Sequence, residues 1–194
     1  MPRVGLSTAA VVDAAIDLVD AEGPDALTLT ALAKHAGVAT PSLYKHVPSL
    51  AALRDLIALR VVEDLRETIA SAVLGRSHDD AIRAAMSAYR AYIVAHPQRY
   101  ALFPQAPPEN PRLAAAAAGL LDVVLAVLSG YGLDGAAEVH AARTFRTVVH
   151  GFASLEAAGG FGLPVDLDAT YDHLVRSLID GIRRLARLST GDTT

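Results

Sequence analysis

Several kinds of residue are scarce or missing in this 194-residue chain. It has no cysteine, which excludes disulfide bonds, thiolate metal sites and cysteine nucleophiles and fits a reducing compartment. Aromatic residues make up only 5% of the chain, and tryptophan is absent. Stretches in which Val, Ile and Thr alternate with polar residues are hard to find. Because alanine and leucine dominate instead, we predict an all-α fold.

Long uninterrupted apolar runs are also missing, and none reaches the ~20 residues that a membrane span needs. The first ten residues, MPRVGLSTAA, lack the apolar core and cationic flank of a signal peptide. We therefore expect a soluble, cytoplasmic protein with no membrane partner.

Positive charge is scarce as well, with 17 Lys and Arg against 21 Asp and Glu and a formal net charge of -4. This balance counts against a general nucleic-acid binder, because neutralising phosphates requires clustered cations. The charge is unevenly distributed, however. Acidic residues crowd the first predicted helix, whereas the stretch that follows is mainly basic, with only Asp55 against Lys34, His35, Lys45, His46, Arg54 and Arg60. A thin cationic face on an acidic protein fits this pattern.

Apolar residues recur at helical spacing through most of the chain, with Gly and Pro between the segments. Ser7, Thr28 and Ser49 stand where helix N-caps are expected. Thr40 before Pro41 is read as the N-cap and first residue of a further helix. The predicted helices cover residues 7–22, 28–36, 40–47, 49–74, 79–95, 110–129, 135–158 and 168–188.

The second and third helices are short and joined by a tight turn at Gly37, the arrangement that presents one helix to the major groove of DNA. Ala33 is small enough for a close crossing, and Val38 and Leu43 would fill the space behind the turn. The exposed side chains of the third helix would be hydroxyl, phenol and cationic groups, which donate to phosphates and base edges: Thr40, Ser42, Tyr44, Lys45 and His46. The alternative is an ordinary surface helix whose tyrosine packs back onto the domain.

The segment from Ser7 to Leu53 resembles the TetR family of repressors, and AGVATPSLYKHVPSLAAL is close to that family's helix-turn-helix signature. The resemblance implies phosphate contacts for Tyr44 and His46. It implies base contacts for Thr40, Pro41 and Ser42, and a phosphate contact for Thr28. Lys45 completes the predicted DNA-binding set, and the implied partner is a double-stranded DNA operator.

Two positions depart from the family pattern. Many members carry a lysine that contacts phosphate near the fourth helix, where this chain has Leu50. Many also have a basic N-terminal arm, which is reduced here to Arg3. Both departures predict weaker electrostatic anchoring on DNA and leave the fold unchanged.

A second resemblance lies downstream, where RTVVHGFASLEAAGGFG (146–162) is similar to the His-Gly segment of one TetR subgroup's C-terminal domain, without the tryptophan that many of those members show. Together the matches predict a helix-turn-helix domain over 1–48, a connecting helix over 49–75, and a domain for effector binding and dimerisation over 76–194.

Bulky residues in the middle of the C-terminal segment can be read in two ways. They are either simple core, or the lining of the cavity in which the family's repressors hold a small effector. Tyr89 and Tyr92 would offer hydroxyls to a mostly apolar ligand. The predicted effector-binding set is Met86, Tyr89, Tyr92, Phe103, Val124, Phe145 and Val149.

The last two predicted helices are expected to pair with those of a second copy in a four-helix homodimer interface. The last helix carries a leucine-rich stripe, and both helices contain glycines that allow close crossing. The predicted interface residues are His150, Gly151, Ala153, Leu174, Leu178, Gly181, Ile182 and Leu185.

Catalytic and metal-binding motifs are absent from the sequence. There is no Glu-x-x-His pair, glycine-rich phosphate loop, Gly-x-Ser-x-Gly elbow or His-Glu-x-x-His motif. His140, His150 and His173 are better read as core or interface residues than as metal ligands. We therefore expect no enzyme, metal or cofactor, and predict a transcriptional repressor released from a palindromic operator by a small effector. The alternative is a helical small-molecule-binding protein with little specific DNA affinity.

Overall fold

The fold was determined as a computed structural model that describes the backbone of residues 6–191 and the side chains of residues 6–188. Arg3, the remnant of the basic arm, lies outside the described residues. Within them the regular structure is helical and no strand is present, which confirms the all-α prediction. The α-helices are α1 (Thr8–Glu22), α2 (Leu29–His35), α3 (Thr40–Leu43), α4 (Leu50–Val73), α5 (His78–Ala95), α6 (Pro97–Tyr100), α7 (Pro111–Leu128), α8 (Gly135–Ala157) and α9 (Leu167–Gly191).

Helix starts follow the predicted caps with one exception. The hydroxyl oxygens of Ser7, Thr28 and Ser49 accept hydrogen bonds at 3.0–3.1 Å from the backbone N–H three residues on. The N-cap prediction for Thr40 is wrong by one residue: Ala39 is the N-cap of α3, and its carbonyl accepts from the N–H of Ser42 at 2.8 Å. Pro41 therefore takes the second helical position, which also requires no N–H donor.

The chain divides into two compact units. The N-terminal unit comprises Met1–Glu63 and His96–Ala117, and the C-terminal unit comprises Asp64–Ala95 and Ala118–Thr194. Helices α4 and α7 contribute residues to both. This division rests on compactness alone, so the functional division into 1–48, 49–75 and 76–194 stays a prediction.

In the N-terminal unit, α6 packs against α1, which sequence patterns did not predict. Arg99 of α6 forms an ion pair with Asp20 of α1, and its Nε lies 2.9 Å from Oδ2 of that carboxylate. The end of α1 is fixed nearby by Gly23, whose φ of 87° disfavours any residue with a Cβ. Residues 96–100 are thus fastened to the first helix of the chain.

In the C-terminal unit, α5, α8 and α9 pack on one another around an apolar core. Each helix contributes one buried stripe, and the largest contributors include Ile82, Met86 and Ile93 of α5, Phe145 and Val149 of α8, and Val175, Leu178 and Ile182 of α9. Packing of these three stripes gives the unit its shape.

The segment Pro111–Tyr131 is the one helical stretch, among the described residues, that is long and apolar enough to cross a membrane by length and composition. Its 21 residues include Arg112 and Asp122. A core helix of a soluble protein passes the same test, so this stretch is weak evidence for a membrane span.

Candidate nucleic-acid interface and effector site

The turn between α2 and α3 rests on side chains that are fully buried. Leu32 and Leu43 are 0% exposed and Ala33 is 3% exposed, so the two helices meet through a dry contact. Gly37 adopts the left-handed region at φ 66°, as its predicted turn role requires. The N–H of Val38 then donates to the carbonyl of Ala33 at 3.0 Å, which closes the turn. The local geometry of a helix-turn-helix is therefore present.

The predicted DNA-binding residues form the outer side of this motif. Thr28, Pro41, Tyr44 and Lys45 are exposed, and Tyr44 leaves 55% of its surface open. Thr40, Ser42 and His46 are half-buried. An exposed phenol ring normally packs down onto its own domain. Since Tyr44 does not, the reading in which it merely covers the domain loses support.

Thr28 has a second task that limits how its side chain is used. Its Oγ1 accepts from the N–H of Ala31 at 3.0 Å and so caps α2. Capping occupies an oxygen lone pair, which leaves the hydroxyl hydrogen to donate. The side chain is thereby held in place at the start of α2 with a donor to offer.

Acidic side chains of α1 are engaged by arginines in the same unit. Asp13 lies 3.3 Å from Arg60, and Asp20 is held by Arg99. At the end of α2, Lys34 and His35 are exposed and contribute positive charge beside the motif. These pairs reduce the negative potential that α1 would otherwise present.

All seven predicted effector-binding residues are buried, with exposures of 0–7%. Six of them, Met86, Tyr89, Tyr92, Val124, Phe145 and Val149, belong to the C-terminal unit. Phe103 belongs to the N-terminal unit and stacks on Tyr100 with ring centroids 5.1 Å apart. Burial fits both a core and a cavity lining, so the cavity stays a prediction.

Burial narrows the predicted dimer interface. Ala153, Leu178 and Ile182 are 0%, 5% and 1% exposed because α8 and α9 bury them within their own chain. These three are therefore wrong as direct contacts of a partner. The remaining members stay partly or fully exposed: His150, Gly151, Leu174, Gly181 and Leu185.

An arginine that sequence reasoning missed joins the three helices of the C-terminal unit. Arg90 of α5 binds both carboxylate oxygens of Glu156 at 2.6 Å and Oδ1 of Asp168 at 2.7 Å. Its guanidinium also lies over the rings of Phe152 and Tyr171, at 5.3 and 4.7 Å from their centroids. The two carboxylates raise the pKa of Arg90, so it stays charged. Its partners are 66 and 78 residues away, and no local pattern signals them.

Tyrosine hydroxyls provide two further links in the same unit. Tyr171 donates to the backbone carbonyl of Met86 at 2.7 Å, and burial raises the pKa of its phenol. Tyr131 donates to Asp79 at 2.6 Å, and burial together with that carboxylate raises its pKa as well. Asp79 also accepts from Arg183 of α9 at 2.7 Å. Both phenols thus stay protonated and act as structural donors.

The three histidines considered as metal ligands are not brought together. Within residues 6–191 the structure contains no group of three or more His, Cys, Asp or Glu side chains able to hold a metal ion. His173 lies 3.3 Å from Arg176, and the pKa of His150 is lowered by burial and by Arg146. These surroundings are those of surface and interface histidines.

Comparison with known proteins now places the chain in a family. Residues 11–56 match the model described as bacterial regulatory proteins of the tetR family, and residues 82–178 match a tetracyclin repressor-like C-terminal domain. An uncharacterized HTH-type transcriptional regulator of Mycobacterium tuberculosis is 40% identical over 181 residues, covering 92% of this chain and 83% of that protein. The chain therefore belongs to the TetR family of bacterial transcriptional regulators, and its resemblance to that family is confirmed.

Solved structures share the fold at low sequence identity. A TetR variant from Acinetobacter baumannii AYE in complex with minocycline has a TM-score of 0.73 and 23% identity, covering 93% of this chain and 98% of that one. BioQ with its double-stranded DNA operator has a TM-score of 0.66 and 20% identity, covering 92% and 98%. These two structures show the fold of the chain and no more than that.

Proposed function

We propose that this regulator is a homodimeric, cytoplasmic repressor that binds a palindromic operator and leaves it when a small, mostly apolar effector binds. The observation that carries the proposal is the outward display of Thr28, Pro41, Tyr44 and Lys45 on a helix-turn-helix with a fully buried support. A dimer of such motifs, spaced about 34 Å apart, would reach successive major grooves.

Different residues of the motif would have different tasks. A helix entering the major groove turns its N-terminal residues toward the bases and leaves the flanking backbone to residues farther along. Thr40, Pro41 and Ser42 would therefore read base edges. Tyr44, Lys45 and His46 would contact phosphates, joined by Thr28 at the start of α2.

The effector would bind among the buried side chains of the C-terminal unit. Six of the seven candidate residues lie there, and the two phenols, Tyr89 and Tyr92, would orient a ligand whose remainder is apolar. The complex of the A. baumannii protein with minocycline is a precedent for a small ligand in this fold. Ligand binding would shift the connecting helix α4 and favour a state that does not bind DNA.

Two glycines support the homodimer. A glycine inside a helix costs about 1 kcal/mol relative to alanine, so its presence needs a reason. A Cβ at Gly151 or Gly181 would meet nothing within 4 Å in the chain itself. Close approach of a second copy supplies the reason that the single chain lacks.

An electrophoretic mobility shift with the DNA upstream of the protein's own gene tests the operator claim. A specific complex that survives excess scrambled DNA is expected. Binding that is equal on both DNAs would favour the alternative, a small-molecule-binding protein without operator specificity.

A further inference from the structure

The hairpin formed by α8 and α9 is polarised in charge along its length. Its loop end, residues 155–172, contains four acids and no lysine or arginine: Glu156, Asp166, Asp168 and Asp172. Its open end, residues 138–146 and 180–188, contains two acids and five arginines: Arg143, Arg146, Arg183, Arg184 and Arg187. Charge of opposite sign is thus collected at the two ends of one helical pair.

Part of this charge is already used within the chain. Arg90 engages Glu156 and Asp168, and Asp79 engages Arg183. The exposed side chains of Asp166 and Asp172 at the loop end, and of Arg143 and Arg184 at the open end, form no ion pair within the described residues. The polarity therefore persists after the internal pairs have been counted.

Both ends also expose apolar side chains. At the loop end Leu155, Leu163 and Val165 are 52%, 80% and 65% exposed. At the open end Val139 and Leu188 are 44% and 63% exposed. Solvent-facing leucines and valines concentrated at two places on one hairpin indicate a surface that something covers.

The loop is held in an ordered position while it exposes these residues. The ring of Phe161 packs on Phe152 with centroids 4.8 Å apart, and the N–H of Gly160 donates to the carbonyl of Leu155 at 2.7 Å. The exposed leucine and valine are thus presented by an anchored segment, as a preformed contact surface requires.

A second copy of this chain is the occupant that fits both features. We propose that two α8–α9 hairpins dock antiparallel, so that the acidic loop end of each subunit covers the basic open end of its partner. In a two-fold dimer this single contact occurs twice and places Asp166 and Asp172 near Arg143 and Arg184 of the other copy. The opposite arrangement, with both loops at one end, would bring acid to acid and arginine to arginine. The inference rests on the homodimer proposed above and adds its orientation.

Cysteine cross-linking tests the orientation cleanly, because the chain has no cysteine of its own. Val139→Cys and Leu163→Cys place thiols at the open end and the loop end. Within one chain the helix between them separates the two thiols by roughly 27 Å, too far for a short bis-maleimide. Refolded mixtures of the two variants should give a covalent dimer containing one copy of each, whereas either variant alone should give none.

The outcomes separate this inference from the homodimer itself. Self-linking of Leu163→Cys, or a dimer that gives no mixed product, would overturn the antiparallel docking and leave the homodimer standing. A wild-type chain that sediments as a monomer would overturn the homodimer as well.

Charge reversal gives an independent test by sedimentation at low ionic strength. Arg143→Glu with Arg184→Glu, or Asp166→Arg with Asp172→Arg, should each weaken dimerisation at least about tenfold, because like charges then meet. All four reversals together should restore dimerisation to near the wild-type value. Glu67→Arg and Arg112→Glu, exposed positions outside the hairpin, are the matched controls. Failure of the fourfold variant to recover would overturn the proposal.

Discussion

The two units of the chain use their polar side chains in opposite ways. In the C-terminal unit, Arg90, Tyr171 and Asp79 each bind partners on other helices and hold α5, α8 and α9 together. In the N-terminal unit, the helix-turn-helix is supported by apolar contacts alone, and its tyrosine and lysine project outward. The comparison teaches that polar residues stabilise the fold in one unit and are left available for a partner in the other.

The largest expected effect is on stability, from Arg90→Met. Glu156 would lose both of its hydrogen bonds at a site where only 16% of its side chain is exposed. Removing one partner of such a half-buried ion pair should lower the free energy of unfolding by about 2 kcal/mol. Arg176→Met, at an exposed arginine of α9, is the control and should change it by less than about 0.5 kcal/mol. Equal losses in urea denaturation would mean that the Arg90 network is not structural.

Two Tyr→Phe substitutions sharpen the comparison, since each removes one hydroxyl and keeps the ring. Tyr171→Phe loses a buried hydrogen bond to the Met86 carbonyl and should lower the free energy of unfolding by about 1 kcal/mol. Tyr44→Phe should leave stability unchanged and weaken DNA binding by about 1 kcal/mol on every sequence. The same result for both variants, in denaturation and in DNA titration, would remove the distinction between the units.

A smaller effect is expected when a cation is returned to the N-terminal unit. Leu50 is half-buried at the first position of α4, where many relatives place a phosphate-binding lysine. Leu50→Lys should add one phosphate contact per subunit and steepen the slope of log affinity against log salt by about 0.9 for each contact. Leu50→Met, which adds no charge, is the control. An unchanged slope would place this position away from the phosphate backbone.

The smallest effect concerns pH and His150 of α8. Burial and the nearby Arg146 lower its pKa below 6.5, so the folded state prefers the neutral ring. Protonation favours the unfolded state, and this contribution to stability is lost as pH falls below about 6.5. His150→Gln should therefore flatten the decline of stability between about pH 6.5 and 5. A decline as steep as that of the wild type would assign it to other groups.

Local rules predicted much of this fold because helix starts depend on neighbouring residues. Ser7, Thr28 and Ser49 were recognisable as caps, since the N–H that each one satisfies lies only three residues ahead. The Thr40 cap failed by one residue because a proline is tolerated at either of the first two helical positions.

Long-range contacts could not be predicted in the same way. The leucine-rich stripe of α9 was visible, but its division was not: Leu178 and Ile182 face their own chain, whereas Leu174 stays half-exposed. A periodic pattern gives the width of an apolar face and does not say which neighbour covers each edge. The Arg90 network was invisible for the same reason, as was the packing of α6 on α1.

Fluorescence anisotropy titration of the chain on DNA from upstream of its own gene, and on a scrambled duplex, tests the central claim most directly. Measured at several salt concentrations with the wild type, Ser42→Ala and Tyr44→Phe, it separates base reading from phosphate contact. The account predicts that Ser42→Ala changes the ratio of affinities for the two DNAs, and that Tyr44→Phe lowers both affinities alike. Wild-type binding that does not discriminate between the duplexes, or variants that match the wild type in affinity and preference, would contradict it.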